Sequence, residues 1–313
     1  MSQPLLRPQK LVKGDFIGLI TPASPVADSS LVERGVRYLE SQGYRVVVGE
    51  NVGKRYGYLA GTDEERAADL HSMFEKKEVK AIFCLRGGYG TPRLLSLINY
   101  KRIARNPKIF VGYSDVTALQ LAFWTKCRLI TFHGPMAGVE MAQQMDPFTE
   151  EMFWRCVTSS QRLGAIPLSE DVQVLRKGEA RGRLLGGNLS LLVSVLGTPY
   201  QPDFSGAIIF AEETSEEPYR VDRMMTHLHN AGVFRKASGL VLGQFTGCIP
   251  TDATKPSLST EEVLRNSAQK FAKPALANLP FGHAARTMTL PVGVRVRFDG
   301  GRRLLEFTEP AVR

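Results

Sequence analysis

The sequence predicts an α/β protein whose amino-terminal half is a doubly wound parallel sheet. Three observations carry this. Short apolar runs at residues 15–21, 44–48, 81–85 and 109–112 alternate with longer amphipathic stretches, the pattern of strands joined by crossover helices. The run at 109–112 is apolar throughout, as a central strand buried on both faces must be. A length of 313 residues exceeds what one core usually holds, so a second domain is expected.

The first strand, 15–21, ends in the stiff turn Pro22-Ala23-Ser24-Pro25, after which Ser29-Ser30 can cap a helix that Gly43 stops. A strand at 44–48 follows. Thr62-Asp63-Glu64-Glu65 has the capping-box pattern and opens a helix to residue 74 with Ala68, Leu70 and Met73 on its apolar side. The strand at 81–85 runs into Arg86-Gly87-Gly88-Tyr89-Gly90 and a helix at 91–98. The glycine pair lets the backbone approach a ligand closely, although a plain tight turn also explains it. Its spacing is not G-x-G-x-x-G and no P-loop lysine follows, which argues against a nucleotide site. The fourth strand delivers Gly112-Tyr113-Ser114-Asp115 to a helix that runs past Gln120, with Ser114 or Asp115 as its candidate cap. A fifth strand at 129–132 ends at His133, and a helix at 149–157 closes this half.

Residues 159–177 lose helical period, carry Pro167 and read as an extended crossing. The expected organisation is an amino-terminal domain at 1–158, a crossing at 159–180 and a carboxy-terminal domain at 181–313. In the last, Asn188 caps an apolar helix at 189–196. A buried strand at 206–211 carries Glu212 and Glu213 at its carboxyl end, and alternation turns them to opposite faces. Pro218 opens a helix whose apolar face is Tyr219, Met224, Met225 and Leu228. His227 and His229 lie two apart on it and cannot share a face, which argues against a metal pair. A strand at 240–243, a loop at 250–259 and a helix from Thr260 lead to a glycine-flanked turn bearing His283. Residues 292–298 alternate apolar with basic, and 304–307 make their hairpin partner.

Composition narrows the function classes. With 43% apolar and 23% charged residues the chain is ordinary for a globular protein, and no apolar run approaches the roughly 20 residues of a membrane span. Residues 1–13 carry charges and two prolines instead of an apolar signal core, so a cytoplasmic protein without a membrane partner is expected. Cys84, Cys127, Cys156 and Cys248 form no C-x-x-C pair and read as reduced core thiols, not a zinc site. The net charge of +9 is scattered, with no basic run or recognition helix, so nucleic acid is not an expected partner.

Candidate chemistry centres on Ser114. A serine at a strand-to-helix turn exposes its hydroxyl above the sheet edge, and the next N–H, that of Asp115, can meet a developing oxyanion. The turn departs from the G-x-S-x-G elbow, since position 116 is valine. The glycine turn should lie at the same edge, which would make the Gly87 or Gly88 N–H a second donor. His133 also ends a strand but has no evident acid beside it and reads as packing. Serine needs a base, and an imidazole needs a carboxylate to fix its tautomer. The order Ser114, Glu212, His283 is that of nucleophile, acid and base in α/β-hydrolases, here spread over two domains. Sequence separation alone leaves their contact open.

The stretches Leu85-Arg86-Gly87-Gly88-Tyr89-Gly90, Gly112-Tyr113-Ser114-Asp115-Val116-Thr117-Ala118-Leu119, Gly186-Gly187-Asn188-Leu189, Ala211-Glu212-Glu213 with Pro218-Tyr219-Arg220-Val221-Asp222-Arg223, and Phe281-Gly282-His283 with Arg286-Thr287-Met288-Thr289-Leu290-Pro291-Val292-Gly293 together resemble the LD-carboxypeptidases. These serine peptidases, also called muramoyltetrapeptide carboxypeptidases, include the microcin C self-immunity peptidases. The resemblance covers nearly the whole chain. It implies a flavodoxin-like amino-terminal domain followed by a smaller mixed α/β domain, with the active site between them. It would make Ser114 the nucleophile, His283 the base and Glu212 the acid, with an oxyanion hole from Asp115 and a glycine of the Gly87-Gly88 pair. The family's Leu-Glu-Asp at the acid reads Ala211-Glu212-Glu213 here, which keeps Glu213 and Glu216 as alternatives. Arg86 is the candidate for binding the substrate's terminal carboxylate, against a reading in which it only ends a strand.

The activity so implied is hydrolysis of the amide between an L-centre, diaminopimelate or lysine, and the terminal D-alanine of a murein tetrapeptide, as in peptidoglycan recycling. The resemblance implies no metal, no organic cofactor and a homodimer. An immunity-type peptidase cleaving an aminoacyl-nucleotide is the rival within the family; it would need an aromatic clamp for a purine, for which Tyr200 is the candidate. A catalytically inactive flavodoxin-like binding module is the rival of another class, and the intact Ser, Glu and His set argues against it.

Overall fold

A computed structural model describes residues 4–252 and 254–313. The first three residues of the 1–13 segment and Ala253 of the 250–259 loop lie outside the described residues. In chain order the amino-terminal half contains β1 (Phe16–Ile20), α1 (Ser29–Ser41), β2 (Arg45–Val48), α2 (Asp63–Glu75), β3 (Val79–Cys84), a 3-10 turn (Thr91–Leu94), α3 (Tyr100–Arg105), β4 (Ile109–Gly112), a second 3-10 turn (Ser114–Val116), α4 (Thr117–Cys127), β5 (Thr131–His133) and α5 (Pro147–Thr158). The remainder contains β6 (Gly164–Pro167), β7 (Gln173–Arg176), β8 (Glu179–Asn188), α6 (Leu189–Ser194), β9 (Ile208–Thr214), α7 (Pro218–Asn230), α8 (Val233–Lys236), β10 (Gly239–Thr246), α9 (Thr260–Phe271), β11 (Ala275–Ala277), β12 (Leu290–Val292), β13 (Arg295–Asp299) and β14 (Leu304–Phe307).

The first sheet has the order β12-β5-β4-β3-β1-β2, in which β1 to β5 are parallel and β12 runs antiparallel on β5. The order 2-1-3-4-5 is that of a flavodoxin-like doubly wound sheet. The second sheet has the order β6-β14-β13-β8-β9-β10-β11-β7. Its centre, β8 to β11, is parallel, and its outer strands are antiparallel. The fold is therefore mixed α/β with two mixed sheets. Both are lined by wholly buried strands, such as Ile109, Phe110 and Val111 of β4 and Ile208, Ile209 and Phe210 of β9.

Local chemistry explains most boundaries. Thr62 and Glu65 form the expected capping box of α2, although Ala67 is buried there and Ala68 is exposed. The expected helix at 91–98 is a single 3-10 turn, because Gly90 supplies no side-chain cap and Asn99 starts a separate helix by accepting the Arg102 N–H at 3.2 Å. On α7 the buried face is Pro218, Val221, Met225 and Leu228, and Tyr219 points outward. The segment expected as an interdomain crossing, 159–180, carries β6 and β7, which form the two ends of the second sheet. The chain also returns from the second sheet to the first at β12, so the loop between β11 and β12 spans the two sheets. His283 lies on that loop.

Candidate active site

The parallel strands bring several chain turns to their carboxyl ends. β3 ends at the Arg86–Gly90 turn and β4 at Ser114, while β9 of the second sheet carries Glu212 shortly before its end at Thr214. Ser114 has φ of 61°, a left-handed backbone that only a minority of non-glycine residues adopt. Neither capping reading of this turn holds, since no side chain caps the 3-10 turn or α4. The Ser114 hydroxyl is thus free of that duty, and the Asp115 carboxylate instead accepts the Thr91 N–H at 2.7 Å. Thr91 returns a hydroxyl hydrogen bond to the Asp115 carbonyl. Burial pushes the Asp115 carboxyl pKa up, opposed by the bonds from Thr91. Val116, where the common elbow has glycine, packs on Gly112, whose added Cβ would lie 3.0 Å from Val116 Cγ1.

Gly87 sits directly against the serine. A Cβ there would come 2.9 Å from Ser114 Cβ, 3.1 Å from its Oγ and 3.4 Å from the Asp115 nitrogen. Gly88, with φ of 109°, packs instead on Ser24, which also accepts the Tyr89 N–H at 3.0 Å. Among the described residues, no internal acceptor takes the Gly87, Gly88 or Asp115 N–H. Arg86 donates to the Pro25 carbonyl at 3.1 Å and is half-buried.

Across from the serine turn, His283 Nδ1 lies 2.7 Å from Glu212 Oε2. The Glu212 side chain is fully buried, and its Oε1 has no hydrogen-bond partner. Burial raises the Glu212 pKa, opposed by the imidazole. Burial pulls the His283 pKa down, but Glu212, Glu213 and Glu140 together outweigh it and leave it above the ordinary histidine value. Gly282, at φ of 109°, allows this close approach, since a Cβ there would meet Glu212 Cβ at 2.8 Å. No hydrogen bond joins Ser114 to His283 among the described residues; such bonds are often long without substrate and tighten when it binds.

The alternatives for the acid are engaged elsewhere. Glu213 faces the other way, as alternation requires, and accepts from Asn188 Nδ2 at 2.8 Å, the Ser190 N–H at 2.9 Å and the Ser190 hydroxyl at 2.7 Å. Glu216 pairs with Arg220 at 3.6 Å near the surface. His133 is buried with both ring nitrogens unpartnered, and burial pushes its pKa down to about 3, which suits packing. The Tyr200 ring lies tilted beside that of Tyr100 and its carbonyl accepts from Thr125 at the far end of α4, ~15 Å along the helix from Ser114, and so offers no aromatic wall there. Two side chains left without a role by the sequence touch this region. The Tyr113 ring packs edge-on against His283, and its hydroxyl donates to Glu140 Oε1 at 2.7 Å. Tyr113 belongs to the Gly112-Tyr113-Ser114 turn, whereas Glu140 belongs to a loop with no periodic or motif signal.

A carboxylate-oriented imidazole facing a left-handed serine turn with free N–H groups is a site suited to acyl transfer. The chain belongs to the LD-carboxypeptidase family, a family of peptidases: residues 17–134 match its amino-terminal domain and residues 181–298 its carboxy-terminal domain. The probable murein peptide carboxypeptidase of Bacillus subtilis (strain 168) is 39% identical over 294 residues, covering 94% of this chain and 91% of that protein. Among solved structures, the muramoyltetrapeptide carboxypeptidase of Oxalobacter formigenes is 33% identical with a TM-score of 0.83, covering 93% of this chain and 97% of that one. The microcin C7 self-immunity protein MccF, in an inactive-mutant apo state, is 27% identical with a TM-score of 0.90, covering 98% of this chain and 100% of that one.

Proposed function

We propose that the protein is a serine-type LD-carboxypeptidase that removes the terminal D-alanine from murein tetrapeptides during peptidoglycan recycling. The observation that carries this reading is the 2.7 Å contact between His283 Nδ1 and the buried Glu212, made where the His283 ring packs on Tyr113, the residue before Ser114. With Nδ1–H donated to Glu212, Nε2 is the free base. It takes the Ser114 proton as Oγ attacks the carbonyl of the L-centre residue, and the Asp115 and Gly87 N–H groups hold the oxyanion. His283 then gives that proton to the departing D-alanine amine. A water, deprotonated by the same nitrogen, cleaves the acyl-enzyme and restores Ser114. Arg86 is the proposed cation for the terminal carboxylate. The proposed setting is cytoplasmic, where turnover peptides are trimmed, and the proposed assembly is a homodimer, tested by sedimentation.

A second reading, cleavage of an aminoacyl-nucleotide, draws support from the likeness to MccF. Offering the wild type a murein tetrapeptide and an aminoacyl sulfamoyl adenosine in parallel, and following both by mass spectrometry, separates the readings. D-alanine release with the nucleotide left intact supports the first; the reverse supports the second. Inertness toward both would favour an inactive binding module.

A further inference from the structure

We infer that Tyr113 and Glu140 are positioning residues that hold the His283 imidazole in its working orientation. This rests on the proposed role of His283 as base. The Glu212 contact fixes one ring nitrogen, yet a single hydrogen bond leaves the ring free to swing about it. Tyr113 supplies the second constraint. Its ring centroid lies 4.9 Å from that of His283 at an interplanar angle of 67°, an edge-on arrangement that favours one ring tilt. Its other neighbour is His133, at 5.7 Å. Tyr113 is 6% exposed and immediately precedes Ser114, so the residue that braces the imidazole is covalently tied to the proposed nucleophile.

Glu140 locks that brace. Its Oε1 accepts the Tyr113 hydroxyl at 2.7 Å, and its Oε2 accepts the Met136 N–H at 2.8 Å. Both carboxylate oxygens are thus bound to backbone-anchored donors, and rotation of the tyrosine would leave a half-buried carboxylate short of a partner. Burial pushes the tyrosine pKa well above its ordinary range and raises that of Glu140, so the hydroxyl keeps its proton and its direction. The groups around His283 are then Glu212 in contact with Nδ1, Glu140 from the loop after β5, the Tyr113 ring and neutral His133, while Glu213, turned to the other face of β9, acts only through its charge. The three carboxylates all favour the imidazolium, the state formed when the serine proton is taken.

Tyr113→Phe keeps the ring and removes the lock; Glu140→Gln keeps the shape and removes the charge. For both, kcat for D-alanine release should fall ~10- to 100-fold with KM little changed. The His283 imidazole titration, followed by NMR and assigned with His283→Ala, should move to lower pH in Glu140→Gln, and the acid limb of kcat/KM should move with it. If Glu140→Gln does not fold, Tyr113→Phe carries the test through its kcat. Wild-type kcat in the folded variants with an unmoved imidazole titration overturns the inference. A moved titration in a protein that turns over no tetrapeptide would uphold the positioning and count against the proposed activity.

Discussion

Gly87 and Ser114 are in such close approach that a single methyl group on the glycine would meet the serine Cβ at 2.9 Å and its Oγ at 3.1 Å. The glycine is demanded by the neighbouring side chain and not by its own backbone, since Gly87 is absent from the positive-φ residues while Gly88 is among them. Gly87→Ala should therefore cost about 1–3 kcal/mol in stability through overpacking. It should lower kcat by ~100-fold by displacing the hydroxyl and the adjoining N–H groups. Urea unfolding and D-alanine release measure the two effects separately.

Glu213 and Glu212 are neighbours with different work. Removing Glu213 strands the donors of Asn188 and Ser190 in a buried site. Glu213→Ala should destabilise the fold by about 2–4 kcal/mol. Glu216→Ala, at an exposed ion pair, should change stability by less than ~0.5 kcal/mol. Glu212→Ala should leave a folded protein with D-alanine release reduced ~10⁴-fold. Chemical denaturation and initial rates on the three variants test this division.

The imidazole of His283 titrates above the ordinary value of 6.5 because carboxylates outweigh its burial. The acid limb of kcat/KM should lie above pH 6.5, and Glu212→Gln should move it lower in whatever activity remains. The stability counterpart has a definite sign. A folded-state pKa raised above the unfolded one contributes stability that is complete below pH 6.5 and lost as pH rises through the folded value. His283→Ala should remove that part of the pH dependence of Tm.

His133 behaves oppositely. Held neutral by burial, with a pKa of about 3, it opposes folding as pH falls below the unfolded value of 6.5. The loss accumulates to the order of 5 kcal/mol by pH 3. His133→Leu should flatten the acid side of the stability profile and leave D-alanine release within a few-fold of wild type, read by denaturation across pH and by initial rates.

Most of the sheet framework was legible because strand and helix periods differ and because caps such as Thr62 and Asn188 name their helices locally. Alternation sets Glu212 and Glu213 on opposite faces before any fold is known, and the contact with His283 is what distinguishes Glu212. What remained hidden depends on contacts distant in sequence. Nothing local says that 164–167 and 173–176 pair with β14 and β11, or that β12 leaves the second sheet for the first and so carries His283 across. Glu140 was invisible for the same reason: its partner, Tyr113, is 27 residues away. The 91–98 stretch misled because apolar spacing resembled a helix while the capping chemistry, Gly90 and then Asn99, divided it in two.

The most direct measurement compares D-alanine release from a murein tetrapeptide, with EDTA present, by the wild type and by Ser114→Ala. A metal-free serine mechanism predicts release by the wild type and a loss of ~10⁴- to 10⁶-fold in a variant of unchanged Tm. Release by Ser114→Ala at a rate near that of the wild type would contradict it.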